Sequence, residues 1–203
     1  MTEGKDKKAA ASGPNGANGQ SHDWGDDWPA AAQELAAACV RFVATKYQVA
    51  LDFSPDTLSL VDQYVQDARK EGVTPGTLPV IEGAVGAYLG EVIRRAHAGF
   101  WDCDGDPETW RVMMRHVFLS IHPVAMAREA LTLEHDPRAH LATDPVEQDA
   151  LEARLAALGE VEEDEYFAPT TRFDVVEIAV EALAAKARVS GLADVRFDRN
   201  DYE

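Results

Sequence analysis

Three aspartates in a turn-forming segment are the first residues whose spacing could do chemistry. Asp102, Asp104 and Asp106 occupy alternate positions in DCDGDPE, as at the start of a calcium-binding loop. Such a loop needs glycine at its sixth position and a bidentate acid at its twelfth. Those positions hold Pro107 and Met113. The pattern therefore predicts the tip of a hairpin, with no metal site.

Two histidines form a second candidate group. His116 and His122 fall on one face of a predicted strand, but six residues place their Cβ atoms about 20 Å apart. That distance is too long for both to hold one ion. We expect each to be a half-buried or surface histidine, and the alternative is a small site in which they act with Glu91.

Glu91 itself has two interpretations. If it is exposed, it pairs with Arg95 at i,i+4, a contact that contributes a few tenths of a kcal/mol. If it faces the sheet, it needs a buried partner such as Arg111 or Arg115. Glu91 is then either a structural strut or the acid of a small catalytic or ligand site. Trp101, at the start of a predicted strand, is a further candidate binding residue.

An acidic strip near the C-terminus is the third group. EVEEDEYF places Glu162, Glu163 and Asp164 just before two aromatic residues, Tyr166 and Phe167. The strip is either a solvated connector or a docking site for a basic partner, with the aromatic side chains as anchors. The sequence contains no nucleophile elbow, phosphate-binding glycine loop, paired-histidine zinc motif or dinucleotide fingerprint. We therefore expect no cofactor.

The overall charge limits the classes of partner. The net charge is −17 over 203 residues, and residues 136–203 account for −10 of it, with seventeen acidic and seven basic side chains. A phosphate backbone needs a basic face, and anionic membranes also attract basic segments. We expect no nucleic-acid partner and no membrane. The acidity either serves solubility alone or suits a basic protein partner.

The two cysteines and the N-terminus bear on location. Cys39 and Cys103 lie far apart and form neither a disulfide framework nor a metal-binding spacing. Reduced thiols are the rule in the cytosol. The N-terminus has no hydrophobic signal core, and no apolar run approaches about 18 residues. We expect a cytoplasmic protein.

The elements that must position these residues follow from hydrophobic periodicity. Helices are predicted from about 29 to 49, after Pro55, through the segment that contains Gly83, Gly86 and Gly90, after Pro123, after Thr143 or Asp144, and after a cap at Thr170 or Thr171. A three-strand antiparallel meander is predicted around Trp101, Val112 and Leu119. Three glycines inside one helix each cost up to about 1 kcal/mol relative to alanine, so we expect that helix to approach a neighbour closely.

The predicted fold class is α+β, a mostly helical single domain with a small antiparallel sheet of about three strands. Residues 1–22 lack bulky apolar side chains and should form a disordered tail. The domain is expected over 23–190, with Trp24 and Trp28 either docked on it or forming a motif for a partner. Residues 191–203 are expected to be a frayed or loosely docked C-terminal tail.

Residues 51–123 resemble a group of uncharacterised bacterial proteins with the order LDFSPDTLSLVDQYV, GAYLGEVIRR and then a Gly–aromatic–Trp step. The residues that carry the resemblance are Leu51, Asp52, Ser54, Leu58, Tyr88, Leu89, Gly90, Glu91 and Trp101. They are residues that make a fold, and the resemblance implies no catalytic set. The acidic composition is also similar to that of bacterial immunity and inhibitor proteins, which cover a partner's surface.

The sequence thus favours a non-catalytic, protein-binding role in the bacterial cytosol, as an inhibitor, immunity factor or regulatory adaptor acting through an acidic surface. One alternative is a small enzyme or ligand-binding domain that uses Glu91 with His116 and His122. Another is a homo-oligomeric structural subunit whose glycine-lined helix packs against its own copy.

Overall fold

The computed structural model describes residues 28–157 and 161–203. Its helices are α1 (Ala30–Tyr47), α2 (Leu58–Glu71), α3 (Leu78–Ala96), α4 (Pro123–Thr132), α5 (Pro145–Ala156), α6 (Glu163–Tyr166) and α7 (Pro169–Val189). The strands are β1 (Gly99–Asp102), β2 (Arg111–Met114), β3 (Leu119–Ile121) and β4 (Ala142–Thr143). The predicted class, a mostly helical α+β domain with a small antiparallel sheet, is confirmed. The expected tail over 1–22 and the docking of Trp24 lie outside the described residues.

Helix α3 is the centre of the domain. Every residue from Glu82 to Arg94 is buried, because α1 and α4 pack on the helix and the sheet adjoins its end. A Cβ atom added at Gly86 would lie 2.5 Å from the Cα atom of Val124. The close approach that the glycines predicted is therefore real, and it brings the backbone of α3 against the start of α4.

The sheet has four antiparallel strands in the order β1-β2-β3-β4. Three of them were expected, and the fourth was missed because β4 is only two residues long and lies in a polar connection. Ser120 pairs with Ala142 in that added ladder. The third strand is also shorter than expected, since it begins at Leu119 and leaves His116 in the preceding bend.

The C-terminal residues pack on the sheet through Tyr202. Its ring stacks on Phe118 with 4.6 Å between centroids. Its hydroxyl accepts a hydrogen bond from the backbone N–H of Leu119 at 3.1 Å and lies 2.7 Å from the carbonyl oxygen of Met114. Residues 191–203, expected to be frayed or loosely docked, are thus fixed to the sheet at this point.

Helix α7 begins differently from the prediction. The N-cap is Ala168, and Pro169 occupies the first turn, where a missing N–H costs nothing. Thr170 does not cap the helix. Its hydroxyl donates to Asp62 of α2 at 2.5 Å, and its backbone N–H donates to the same carboxylate at 3.1 Å. The threonine therefore joins α7 to α2.

No helix within residues 28–157 and 161–203 is long and apolar enough to cross a membrane.

Candidate functional site

Glu91 is a fully buried carboxylate whose hydrogen bonds are all made within the fold. Its side chain is 0% exposed. Arg94 donates to both of its oxygens at 2.8 and 2.9 Å, Arg95 donates at 2.6 Å, and the indole N–H of Trp101 donates at 3.2 Å. A buried carboxylate needs this kind of compensation. Glu91 therefore acts as a structural strut.

The buried partner of Glu91 is not the one expected from the sequence. Arg111, one of the two predicted partners, instead donates to Asp102 at 2.7 Å across β1 and β2. Arg94 takes its place because it lies one turn along the same helix. The guanidinium of Arg95 lies against the rings of Trp28 and Phe53, 5.1 and 4.5 Å from their centroids, and the two rings contact each other edge to face.

Trp101 is a core residue and offers no surface to a partner. A Cβ atom at Gly90 would lie 2.3 Å from its ring, so the indole fills the space that the glycine leaves. The ring is buried beneath α3. Its indole N–H donates to Glu91, and the ring has a packing role.

The two histidines are not brought to Glu91 or to each other. His116 is exposed and lines a groove with Phe118 and Leu183. His122 is half-buried in a different, polar cavity beside Arg111. Burial lowers the pKa of His122, and the nearby charge of Arg111 adds to the effect. The contacts of Glu91 are the two arginines and Trp101, so the described residues do not assemble the alternative site.

The acidic strip is divided between surface and core. Glu162 and Asp164 are exposed, and α6 begins at Glu163, whose side chain lies outside the described part. Tyr166 is 37% exposed. Phe167 is 3% exposed and packs in the core, so it is not available as the contact anchor that the sequence suggested.

Three carboxylates of α7 extend the strip, and the sequence interpretation missed them. Asp174, Glu177 and Glu181 are all exposed. Their spacing of three and four residues places them on one side of the helix. The sequence contains a signal for this arrangement, because the three acidic residues alternate at helical spacing with the apolar residues that form the buried side of α7. Residues 161–181 contain seven acidic residues and a single basic one, Arg172.

We call this surface the acidic face. It comprises Glu162, Asp164, Glu165, Asp174, Glu177 and Glu181. Asp62 of α2 connects its two parts, because it lines a small crevice with Asp164 and interacts electrostatically with Asp174. Burial raises the pKa of Asp62, and the charge of Asp174 raises it further.

The carboxylates of the acidic face are not neutralised within the described parts of the chain. None of the six forms an ion pair with a described residue. His97 interacts electrostatically with Glu177 and Glu181, and its ring stacks on Phe173 with 5.8 Å between centroids. Burial lowers the pKa of His97, although Glu177 and Glu181 oppose this shift.

A buried ion pair holds the acidic face on the domain. Arg172 of α7 donates to Glu129 of α4, and both side chains are buried. Glu129 also accepts from the backbone N–H of Asp136 at 2.9 Å and lies 2.8 Å from His135. The guanidinium of Arg172 lies 4.2 Å from the centroid of the Tyr166 ring. This one arginine thus joins α4, α6 and α7.

Within the described ranges, no group of three or more His, Cys, Asp or Glu side chains is arranged to hold a metal ion. The thiols of Cys39 and Cys103 are both free, and burial raises the pKa of each to about 12. Neither is an activated nucleophile, because the reactive thiolate form is strongly disfavoured at neutral pH.

Comparisons with known protein families, with curated proteins and with solved structures found no match. The resemblance to a bacterial group described above stays a prediction.

Proposed function

We propose that this chain has a non-catalytic, protein-binding role, as an inhibitor, immunity factor or regulatory adaptor in the bacterial cytosol. Its acidic face binds a basic surface on a protein partner. The observation that carries the proposal is the contrast between two sets of carboxylates. Glu82, Glu91 and Glu129 are buried and paired with arginines, whereas the six of the acidic face are exposed and form no ion pair with the residues that the structure describes.

The construction of the face supports a binding role. An interface gains affinity when its contact groups are already held in place, because less conformational entropy is lost on binding. Helix α7 is joined to α2 through Thr170 and to α4 through Arg172. Its exposed carboxylates therefore project from a fixed helix. Complementary charge then speeds association and selects against acidic partners.

The two alternatives have less support. A catalytic role for Glu91 needs a carboxylate that substrate can reach, and this one is fully buried among its own hydrogen-bond donors. A self-associating glycine helix needs a free glycine surface. Gly86 and Gly90 instead contact Val124, Pro123 and Trp101 of the same chain.

The proposal is tested by reversing the charge of the face. The acidic-face variant carries Asp174→Lys, Glu177→Lys and Glu181→Lys. The control variant carries Glu34→Lys, Asp56→Lys and Asp106→Lys, three exposed carboxylates elsewhere. Both variants change the net charge by the same amount. Circular dichroism first establishes that each is folded.

Tagged wild type and both variants are then used to capture proteins from lysate of the native organism. The expected result is one stoichiometric protein that the wild type and the control retain and the acidic-face variant loses. Equal capture by all three would contradict the proposal, and so would equal loss in the control variant.

A further inference from the structure

A second feature of the surface is an apolar groove at the C-terminal end of α7. It has a volume of about 450 Å³ and lies between α7, the start of α5 and the last residues of the chain. Its apolar lining includes Val117, Leu183, Leu192, Val195 and Phe197. A volume of this size falls in the range of sites that enclose ligand groups.

Large aliphatic side chains are unusually exposed around this groove. Leu192 and Val195 line it and are 55% and 39% exposed. Val189 and Val146 adjoin its lining residues in the chain and are 90% and 78% exposed. Scattered exposed aliphatics are ordinary, but a group beside a concave apolar surface is typical of an interaction site.

The rim of the groove is acidic. Asp144, Glu147 and Asp201 contribute carboxylates to its lining. Among the described residues that line the groove, Lys186 is the one lysine or arginine, and it pairs with Glu147 at 2.6 Å. The charges of this pair offset each other, so Asp144 and Asp201 carry the net negative charge of the rim. The carbonyl groups of Lys186, Ala187 and Arg188 at the C-terminal end of α7 accept hydrogen bonds from Ser190, Leu192 and Gly191, so the carboxylates are the source of the negative charge of the rim. An apolar floor with a negative rim suits an apolar group that carries positive charge beside it.

The negative charge of the rim favours some classes of binding partner over others. A second copy of the chain brings a net charge of −17 and the same acidic rim, so the two surfaces repel. An anionic membrane is repelled for the same reason. A basic protein segment with a bulky apolar side chain matches both the floor and the rim.

We propose that this groove, which we call the α7 groove, is the anchor site for such a segment: it takes an aromatic or large aliphatic side chain flanked by lysine or arginine. The inference rests on the proposed function, because Glu181 of the acidic face and Leu183 of the groove both line the adjoining cavity between α5 and α7. The acidic face steers the partner, and the groove supplies the apolar contact that dominates affinity.

Two probes with the same ring and opposite charge test the groove without any knowledge of the partner. Tryptamine carries an indole and an ammonium group, and indole-3-propionate carries the same indole with a carboxylate. Each is titrated into the full-length protein while the methyl resonances of leucine and valine are recorded by NMR. We expect saturable shifts at Leu183, Leu192 and Val195 with tryptamine, in the millimolar range of a weak fragment.

Matched variants locate the binding. Leu192→Ser removes apolar surface from the floor without changing the charge, and the exposure of this side chain predicts that the fold tolerates the change. Val80→Ser is the control, because Val80 is also 55% exposed but lies in the first turn of α3. Tryptamine binding should weaken at least about tenfold in Leu192→Ser and change less than about twofold in Val80→Ser.

Equal binding of the two probes, no saturable shift, or equal weakening in the two variants would overturn the inference. The proposed function is judged separately. Loss of partner capture by the acidic-face variant together with a failed probe titration would reject the α7 groove alone. Selective tryptamine binding with unchanged capture would reject the acidic face alone.

Discussion

Glu91 shows how one residue can look catalytic in the sequence and be structural in the fold. Its charge balances Arg94, which is also buried, and it is held by donors from one helix and one strand. A charged group with buried partners stabilises the fold mainly because its removal would leave those partners uncompensated. The residue therefore belongs to the interior of the domain.

Glu91→Gln tests this role at the residue scale. The neutral amide cannot compensate the buried guanidinium of Arg94, so we expect the free energy of unfolding to fall by about 3 to 5 kcal/mol. Urea denaturation monitored by circular dichroism measures the change. Asp56→Asn, at an exposed position, should alter it by less than about 0.5 kcal/mol. A loss below about 1 kcal/mol for Glu91→Gln would refute the role as a strut.

His97 and His122 predict how stability depends on pH. Burial lowers the pKa of both below the ordinary value of 6.5, so the folded protein favours their neutral forms. The unfolded chain then binds protons more readily than the folded one in this range. Their contribution to stability is complete above pH about 6.5 and decreases as pH falls below it toward the folded pKa values.

The measurement is urea unfolding at pH about 7.5 and about 5.5 for the wild type and for His97→Gln/His122→Gln. The double variant should lose less stability than the wild type between the two pH values. An identical pH dependence in the two proteins would show that the histidines do not titrate as inferred.

At the scale of elements, α3 is the helix whose packing decides the architecture. Its glycines allow α4 and Trp101 to approach its backbone, which no larger residue would permit. Gly83 differs from Gly86, because a Cβ atom there would lie an ordinary 3.5 Å from Leu35. The same substitution should therefore have opposite effects at two positions one turn apart.

Gly86→Ala is expected to destabilise the protein by about 3 kcal/mol, because its methyl group meets the backbone of Val124 and overpacks the interior. Gly83→Ala is expected to be neutral or to stabilise by up to about 1 kcal/mol through helix propensity. Thermal and urea unfolding compare the two. Equal effects at both positions would contradict the packing described for α3.

Local patterns predicted much of the architecture but not its long-range contacts. Helical periodicity and proline positions identified α1 to α5 and α7, and the glycines predicted the close packing of α3. The two residues of β4 were too few to show any alternation. The pair of Arg172 with Glu129 spans 43 residues, and the contact of Tyr202 with Leu119 spans 83, so neither has a local signal.

The candidate site was predicted in part for a similar reason. The acidic strip was visible as a run of like charges, and its continuation on α7 was visible at helical spacing but overlooked. The burial of Phe167 and Trp101 could not be read from their types, because aromatic residues occur both in cores and at interfaces.

At the scale of the whole molecule, the negative charge is distributed unevenly between the interior and one surface. Buried acids are balanced by arginines, while the exposed carboxylates of the acidic face form no ion pair within residues 28–157 and 161–203. Such a surface attracts a basic partner electrostatically. Dissolved salt screens this attraction, and at physiological ionic strength the Debye length is about 8 Å. Binding through it should therefore weaken as salt rises.

The most direct measurement is affinity capture by the tagged full-length chain from native lysate, at low and at moderate salt, with the retained proteins quantified by mass spectrometry. The proposed role predicts one basic protein in stoichiometric amount at low salt and much less of it at moderate salt. A stoichiometric partner whose amount does not change with salt would contradict binding through the acidic face, and so would the absence of any stoichiometric partner at low salt.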